Sequence, residues 1–137
     1  MGLFHERRVL ITPETLAAFV ELSGDEAPLH SDAAHARSLG FNDITAHGLL
    51  VGAFYSRMLG MVLPGANTLC QQLTLEMTAP VYLGDALSFR VTVQRLIPSV
   101  QAVQMALQAF NQNGVEVGRG KAVCVFRQMT MSSDDRG

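Results

Sequence analysis

An acid, two imidazoles and a helix-start glycine lie within one short stretch of the sequence. Asp25 stands five positions before His30, and Pro28 between them keeps this part of the chain from forming a regular helix. His47 and Gly48 then open a long apolar helix. A carboxylate and an imidazole can exchange protons with a water, and a free N–H at a helix start can polarise a carbonyl. The stretch predicts acid–base chemistry beside a carbonyl group.

Each of these residues also has a structural interpretation. Asp25 could cap the segment that follows it, and Gly48 could be a packing glycine. We favour catalytic roles for Asp25 and His30 because an acid and an imidazole are complementary. His47 is expected to be structural. Ser56 lies eight residues after Gly48, about two turns along the same helix face, where it can contact a ligand or bond to its own helix.

A metal site is not expected from this sequence. His30, Asp32 and His35 do not match a zinc-binding spacing. The two cysteines, Cys70 and Cys124, are far apart in strand-like runs. We expect two buried thiols in a reducing compartment.

The composition indicates one apolar-rich domain. The chain has 137 residues, of which 48% are hydrophobic and only 16% charged, so we expect part of its apolar surface to be buried against another subunit. The net charge is -2 and the basic residues are scattered, which excludes a nucleic-acid footprint. We expect a single domain over residues 1–131 and a flexible tail over residues 132–137.

The longest apolar run is read as a helix of a protein core. It extends from Ala46 to Leu63, but it contains His47 and Arg57 and is followed by Pro64. These features favour a helix buried on most sides in a protein core over a membrane span. The N-terminus becomes charged before an apolar stretch develops, so we expect no signal peptide and a cytoplasmic protein.

The order of elements predicts an α+β domain. A first strand over residues 3–11 leads to a helix that Thr12 caps and Pro13 begins. Ser23 and Gly24 end this helix. Ser31 or Asp32 caps a short helix that ends near Ser38, and the long helix follows over residues 46–62. Four strands come next, within residues 68–77, 87–96, 100–110 and 115–126, and Asn113-Gly114 predicts the turn between the last two. We expect a curved antiparallel sheet wrapped around the long central helix.

The acid–histidine segment resembles the hydratase 2 motif of the MaoC-like (R)-specific enoyl-CoA hydratases. The residues that carry the resemblance are Phe19, Asp25, Pro28, His30, Ile44, His47, Gly48 and Leu49. The stretches over residues 63–65 (LPG) and 79–91 (APVYLGDALSFRV) also look like this family. The resemblance therefore covers most of the chain.

The resemblance implies a hot-dog fold and reversible syn addition of water to a trans-2-enoyl thioester, giving an (R)-3-hydroxyacyl thioester. It implies that Asp25 and His30 are the catalytic pair and that the Gly48 N–H stabilises the oxyanion. It leaves open which of the pair performs each proton transfer. Substrate contacts are expected at Ser56, Pro28 and His47. No cofactor is implied, because coenzyme A or the pantetheine of an acyl carrier protein is part of the substrate.

One departure from the family pattern lies in the catalytic segment. Ala27 stands where the family usually has asparagine, so the loop's hydrogen bonds or the preferred substrate could differ. Two other functions stay open. One is a hot-dog thioesterase that uses Asp25 or Glu76, and the other is a non-catalytic subunit that binds acyl thioesters.

We also expect an assembly of several chains. A monomer of this kind exposes a long sheet edge, which predicts a homodimer joined edge to edge. Higher assemblies of such dimers are implied by the resemblance only. An acyl carrier protein is a further possible partner, whereas nucleic acids and membranes are not expected partners.

Overall fold

The computed structural model describes residues 2–127, which form an antiparallel sheet with three α-helices. The predicted tail over residues 132–137 lies outside this range. Two short 3-10 turns accompany the regular elements, at Pro28–His30 and Pro98–Val100. In chain order the elements are β1 (Phe4–Leu10), α1 (Pro13–Ser23), α2 (Ala33–Ser38), α3 (Gly48–Met61), β2 (Thr68–Met77), β3 (Ala86–Ile97), β4 (Ala102–Phe110) and β5 (Glu116–Phe126).

Local sequence signals explain where several elements begin and end. The Thr12 hydroxyl accepts a hydrogen bond from the Thr15 N–H at 3.1 Å and so caps α1, whose C-terminus is Gly24 in the left-handed region with φ 72°. Asp32 caps α2 in the same way. Gly114 takes φ 75° in the turn between β4 and β5. These predictions from caps and turns are confirmed.

The five strands form one sheet in the order β1-β3-β4-β5-β2, with every neighbouring pair antiparallel. Helix α3 packs on one face of this sheet. Tyr55 meets Phe89 of β3 edge to face at 5.1 Å, and Met58 is fully buried. The predicted α+β arrangement of a curved sheet and one long helix is therefore present.

Two expectations about burial were wrong. We expected α3 to be buried on most sides, but Leu49 and Met61 are 74% and 68% exposed. Only the helix face that meets the sheet is covered. We also expected two buried thiols, but Cys70 is exposed because it lies on an edge strand, whereas Cys124 is buried. Within residues 2–127 no helix is both long and apolar enough to cross a membrane.

Candidate active site

A short loop after α1 holds the carboxylate of Asp25. The Asp25 Oδ1 accepts a hydrogen bond from the Ala27 N–H at 3.1 Å, and the Asp25 N–H donates to the Ser23 Oγ at 3.1 Å. This is a turn that an aspartate side chain makes with its own backbone two residues on. The side chain remains exposed, so the carboxylate is accessible to a water or a ligand.

His30 closes the 3-10 turn and has a defined tautomer. Its Nδ1 lies 2.7 Å from the backbone oxygen of Thr45, and a carbonyl oxygen can only accept. The proton must therefore be on Nδ1, which leaves a lone pair on Nε2. The Thr45 N–H donates to the Leu29 oxygen at 3.1 Å, and the next N–H, of Ala46, donates to the Val81 oxygen at 2.7 Å. The acceptor of the His30 proton is thus fixed to the body of the fold.

His47 lies beneath the loop and contacts both Asp25 and His30. The residue is 2% exposed, and its Nε2 lies 2.9 Å from the backbone oxygen of Asp25, to which it donates. Its ring stacks on that of His30, with centroids 3.9 Å apart and planes 27° apart, and the Phe19 ring lies 4.8 Å away. Within residues 2–127 its Nδ1 has no hydrogen-bond partner. His47 therefore supports both Asp25 and His30.

The side chains of Asp25, His30 and His47 converge. One ligand-type atom from each lies within 4.8 Å of the others. The two imidazole rings are stacked, so their in-plane lone pairs lie in two nearly parallel planes with ring centroids 3.9 Å apart. Such lone pairs do not meet at one point ~2 Å from both nitrogens, as a bound zinc ion requires. The arrangement suits proton exchange with a water better than metal chelation.

The N-terminus of α3 supplies a backbone donor. The first bond inside the helix runs from the Val51 N–H to the His47 oxygen, so the Gly48 N–H has no partner within the helix. Gly48 and His30 line the same cavity of about 370 Å³. A Cβ at residue 48 would lie 3.0 Å from the Met77 Cγ, so a glycine here accommodates a close contact with β2. The packing and oxyanion interpretations of Gly48 are thus compatible.

The other predicted site residues have different places. Ser56 is exposed and lines a second, larger cavity of about 540 Å³. Pro28 begins the 3-10 turn and His47 is buried, and neither lines this cavity or the smaller one. Glu76 pairs with Arg119, and its side chain is 68% exposed and lines neither cavity. Within the described residues Glu76 is therefore not placed as a catalytic carboxylate.

The family of the chain follows from comparison with known proteins. A family model for the MaoC like domain matches residues 2–112. The chain belongs to the MaoC-like family. This MaoC-like chain is 33% identical to an "(R)-specific enoyl-CoA hydratase" of Aeromonas caviae over 79% of its own length and 81% of the relative's. It is 31% identical to a mitochondrial "3-hydroxyacyl-[acyl-carrier-protein] dehydratase" of Arabidopsis thaliana, over 94% and 78% of the two chains.

Solved structures of relatives have the same fold as this MaoC-like chain. The (R)-hydratase of Aeromonas caviae has a TM-score of 0.85 at 29% identity, covering 92% of this chain and 96% of that one. The unliganded R-hydratase of Pseudomonas aeruginosa has a TM-score of 0.84 at 35% identity, covering 97% and 88%. The predicted hot-dog fold and the predicted family are confirmed.

Sequence reasoning missed several residues that shape the site of this MaoC-like chain. Thr45 accepts the His30 hydrogen bond through its backbone oxygen. Because every residue has such an oxygen, the residue type could not predict this contact. The contact of Met77 with Gly48 depends on strand β2 folding back along α3. Only the apolar character of β2 was visible in the sequence. The long-range register that brings it to the helix start was not.

Proposed function

We propose that this protein is an (R)-specific enoyl-thioester hydratase that also catalyses the reverse dehydration of 3-hydroxyacyl thioesters. The observation that carries the proposal is the closeness of Asp25 and His30, whose carboxylate oxygen and imidazole nitrogen lie within 4.8 Å of each other. Gly48, whose N–H has no partner among residues 2–127, lines the same cavity as His30. The names of the relatives support this class of reaction.

In the proposed mechanism the substrate's thioester oxygen accepts a hydrogen bond from the Gly48 N–H. Negative charge that develops on this oxygen is then stabilised by a donor at the positive end of a helix dipole. A water lies between His30 Nε2 and the Asp25 carboxylate. The water's hydroxyl adds to C3 while its remaining proton is passed through the pair to C2 on the same face. Atoms balance without an added reactant.

The proposed cycle uses no cofactor. The thioester itself makes the C3 position electrophilic, and coenzyme A or a carrier pantetheine is part of the substrate. Pro28 and His47 support the catalytic loop in this scheme, whereas Ser56 contacts the acyl part of the substrate in the larger cavity. A cytoplasmic location remains a prediction.

The test is the loss of enoyl-thioester absorbance with crotonyl-CoA. We expect the wild type to hydrate it, and Asp25→Asn and His30→Ala each to lose at least about a hundredfold in kcat, the usual contribution of a general acid–base group. Glu26→Gln is the matched control, because it removes the neighbouring exposed carboxylate without touching the pair. A near-normal rate in either active-site variant would show the mechanism to be wrong. Release of free thiol without hydration would indicate a thioesterase.

We further propose that the active form is a homodimer joined through strand β2. This strand is one of the two sheet edges, and its Leu69 and Leu73 are 55% and 49% exposed. Leu49 of α3, which lines the larger cavity together with these two leucines, is 74% exposed. The opposite edge, β1, carries the charged residues Glu6 and Arg7, which discourage edge pairing. A second copy seated on β2 would cover the apolar side chains.

A further inference from the structure

The two cavities lie along one seam, between helix α3 and strand β2. The helix presents Gly48, Gly52 and Ser56 to this seam at intervals of one turn. The smaller cavity, with His30, is at the Gly48 end. The larger cavity is lined by Leu49 and Gly52 and continues past Ser56. Among the described residues, none lines both cavities, so a part of the protein must lie between the two cavities.

Leu75 of β2 stands at the division. A Cβ at Gly52 would overlap the Leu75 Cδ1, and a Cβ at Gly120 of β5 would lie 3.2 Å from the Leu75 Cδ2. The branched end of this side chain thus fits a slot between two glycines, one on the helix and one on the sheet. Met77, two residues further along β2, closes against Gly48 in the same manner. Leu75 belongs to the lining of the larger cavity and Met77 to that of the smaller one.

The chemistry of the proposed function gives this division a consequence. With the thioester oxygen at Gly48 and C3 beside His30, the first acyl carbons lie in the smaller cavity. A longer acyl chain in an extended conformation must continue away from the reacting atoms, and the seam leads from the smaller cavity to the larger one. The larger cavity is mostly apolar, and Leu59 and Leu69 are among its lining residues. It is the adjacent space on the same seam.

Leu75 has room to move toward that space. Its side chain is half-buried, and its neighbour on the same face, Leu73, is 49% exposed and lines the same cavity. Because the slot is bounded by glycines, a rotation of the leucine leaves an opening rather than another side chain in the way. The movement would join the two cavities.

We propose that Leu75 sets the acyl-length limit of this protein, by closing the passage between the catalytic cavity and the larger cavity. This inference rests on the proposed hydratase function. Short enoyl groups fit while Leu75 rests against Gly52. Long ones are accepted only when the side chain leaves the slot. Leu75 is a specificity-determining residue in this view and takes no part in proton transfer.

The experiment compares kcat/KM for crotonyl-CoA and trans-2-dodecenoyl-CoA in the wild type, Leu75→Ala and Leu10→Ala. We expect the wild type to prefer crotonyl-CoA. Leu75→Ala should raise the dodecenoyl-to-crotonyl ratio by about tenfold or more, the size of effect that a few methylene contacts produce. Leu10→Ala removes the same atoms from an exposed position of β1, which lines neither cavity and lies outside the proposed dimer interface, and should not change the ratio. Leu75→Val, a milder truncation, should give an intermediate ratio if Leu75→Ala folds poorly.

Several outcomes would overturn the inference. They are a wild type that prefers the long substrate, a ratio unaffected by Leu75→Ala and Leu75→Val, and an equal shift in Leu10→Ala. An equal change for both substrates would show that the larger cavity holds the carrier rather than the acyl chain. A wild type that hydrates neither substrate would instead show the proposed function to be wrong. Turnover of crotonyl-CoA together with an unchanged ratio would remove only the role of Leu75.

Discussion

His30 and His47 lie ring on ring, with centroids 3.9 Å apart, yet of these two residues only His30 lines the smaller cavity. One nitrogen of each imidazole donates a hydrogen bond to a backbone carbonyl. His30 donates to the oxygen of Thr45, and His47 donates to the oxygen of Asp25. The buried ring of His47 therefore fixes the plane of the half-buried ring of His30 and also the position of the acidic loop. The geometry of the proposed catalytic pair depends on a residue that itself transfers no proton.

Replacing His47 with phenylalanine should distinguish a role in positioning Asp25 and His30 from a role in stabilising the fold. The ring stack on His30 is kept, but the carbonyl of Asp25 loses its donor, and the loop shifts to regain a partner. We expect kcat to fall by about a hundredfold, as for other small misplacements of a catalytic group, with KM little changed. His35→Phe, at an exposed position of α2, is the control. An unaltered kcat in His47→Phe, with only a lower Tm, would show that His47 serves the fold alone.

The family's asparagine should add little at position 27 of this chain. The Ala27 N–H donates to the Asp25 carboxylate and the Ala27 carbonyl accepts from the His30 N–H at 2.9 Å, so the loop uses only its backbone there. We expect Ala27→Asn to change kcat/KM by no more than about twofold. Ala27→Pro is the informative partner variant. Proline suits the φ of -54° but removes the N–H, so activity should drop sharply. A large gain from asparagine would refute this account.

The proposed dimer predicts a mass of two chains by light scattering at micromolar concentration. Leu49→Glu places a charge on the exposed apolar side of α3 and should shift the protein toward monomer, because a charge buried in an apolar interface without a partner is costly. Leu22→Glu is the control, since Leu22 is 84% exposed on α1, outside the proposed interface. A monomeric wild type, or equal behaviour of the two variants, would count against pairing through β2.

Burial of Cys124 predicts a loss of stability in alkali. Burial and the neighbouring Cys70 thiol raise the pKa of Cys124 from 9.0 to about 12. Between these values the unfolded chain gives up a proton that the native chain retains, so the stabilising difference is complete below pH 9 and declines as pH rises. From pH 8.5 to 10.5 this thiol should reduce the free energy of unfolding by about 2 kcal/mol.

Urea unfolding at both pH values and at one protein concentration measures this loss. Cys124→Val is the test variant, because it keeps an apolar side chain without an ionisable group. Its stability should decline by about 2 kcal/mol less than that of the wild type over the same interval. Equal losses in the two proteins would show that Cys124 ionises as readily in the native state as in the unfolded one.

Elements with local signals were predictable from the sequence. The Thr12 cap, the helix-ending Gly24 and the turn at Gly114 each depend on neighbours within a few residues, and all three have the expected conformation. Exposure of Cys70 was not predictable in this way. Whether a strand is central or at an edge depends on sheet order, and the last strand of the sequence, β5, lies between β4 and β2.

In the candidate site, too, local relationships were predictable from the sequence and long-range contacts were not. Asp25 and His30 could be paired from their spacing because one turn brings them together. The tautomer of His30 could not be predicted, since it depends on a carbonyl fifteen residues away. The slot occupied by Leu75 depends on Gly52 and Gly120, which meet only after α3 and β5 have packed on β2. Contacts of this range leave no mark at any single position.

The proposed catalytic groups and their direct supports come from one uninterrupted stretch, from Phe19 to Gly48. The larger cavity and Leu75 come from chain that follows. A single recombination event at the start of α3 would therefore join one relative's proposed catalytic residues to another's larger cavity, provided that the contacts of Ala46 with Val81 and of Gly48 with Met77 were kept. In protein engineering, residues 19–48 are therefore the segment to keep unchanged, and the residues that line the larger cavity are those to vary for the acyl group.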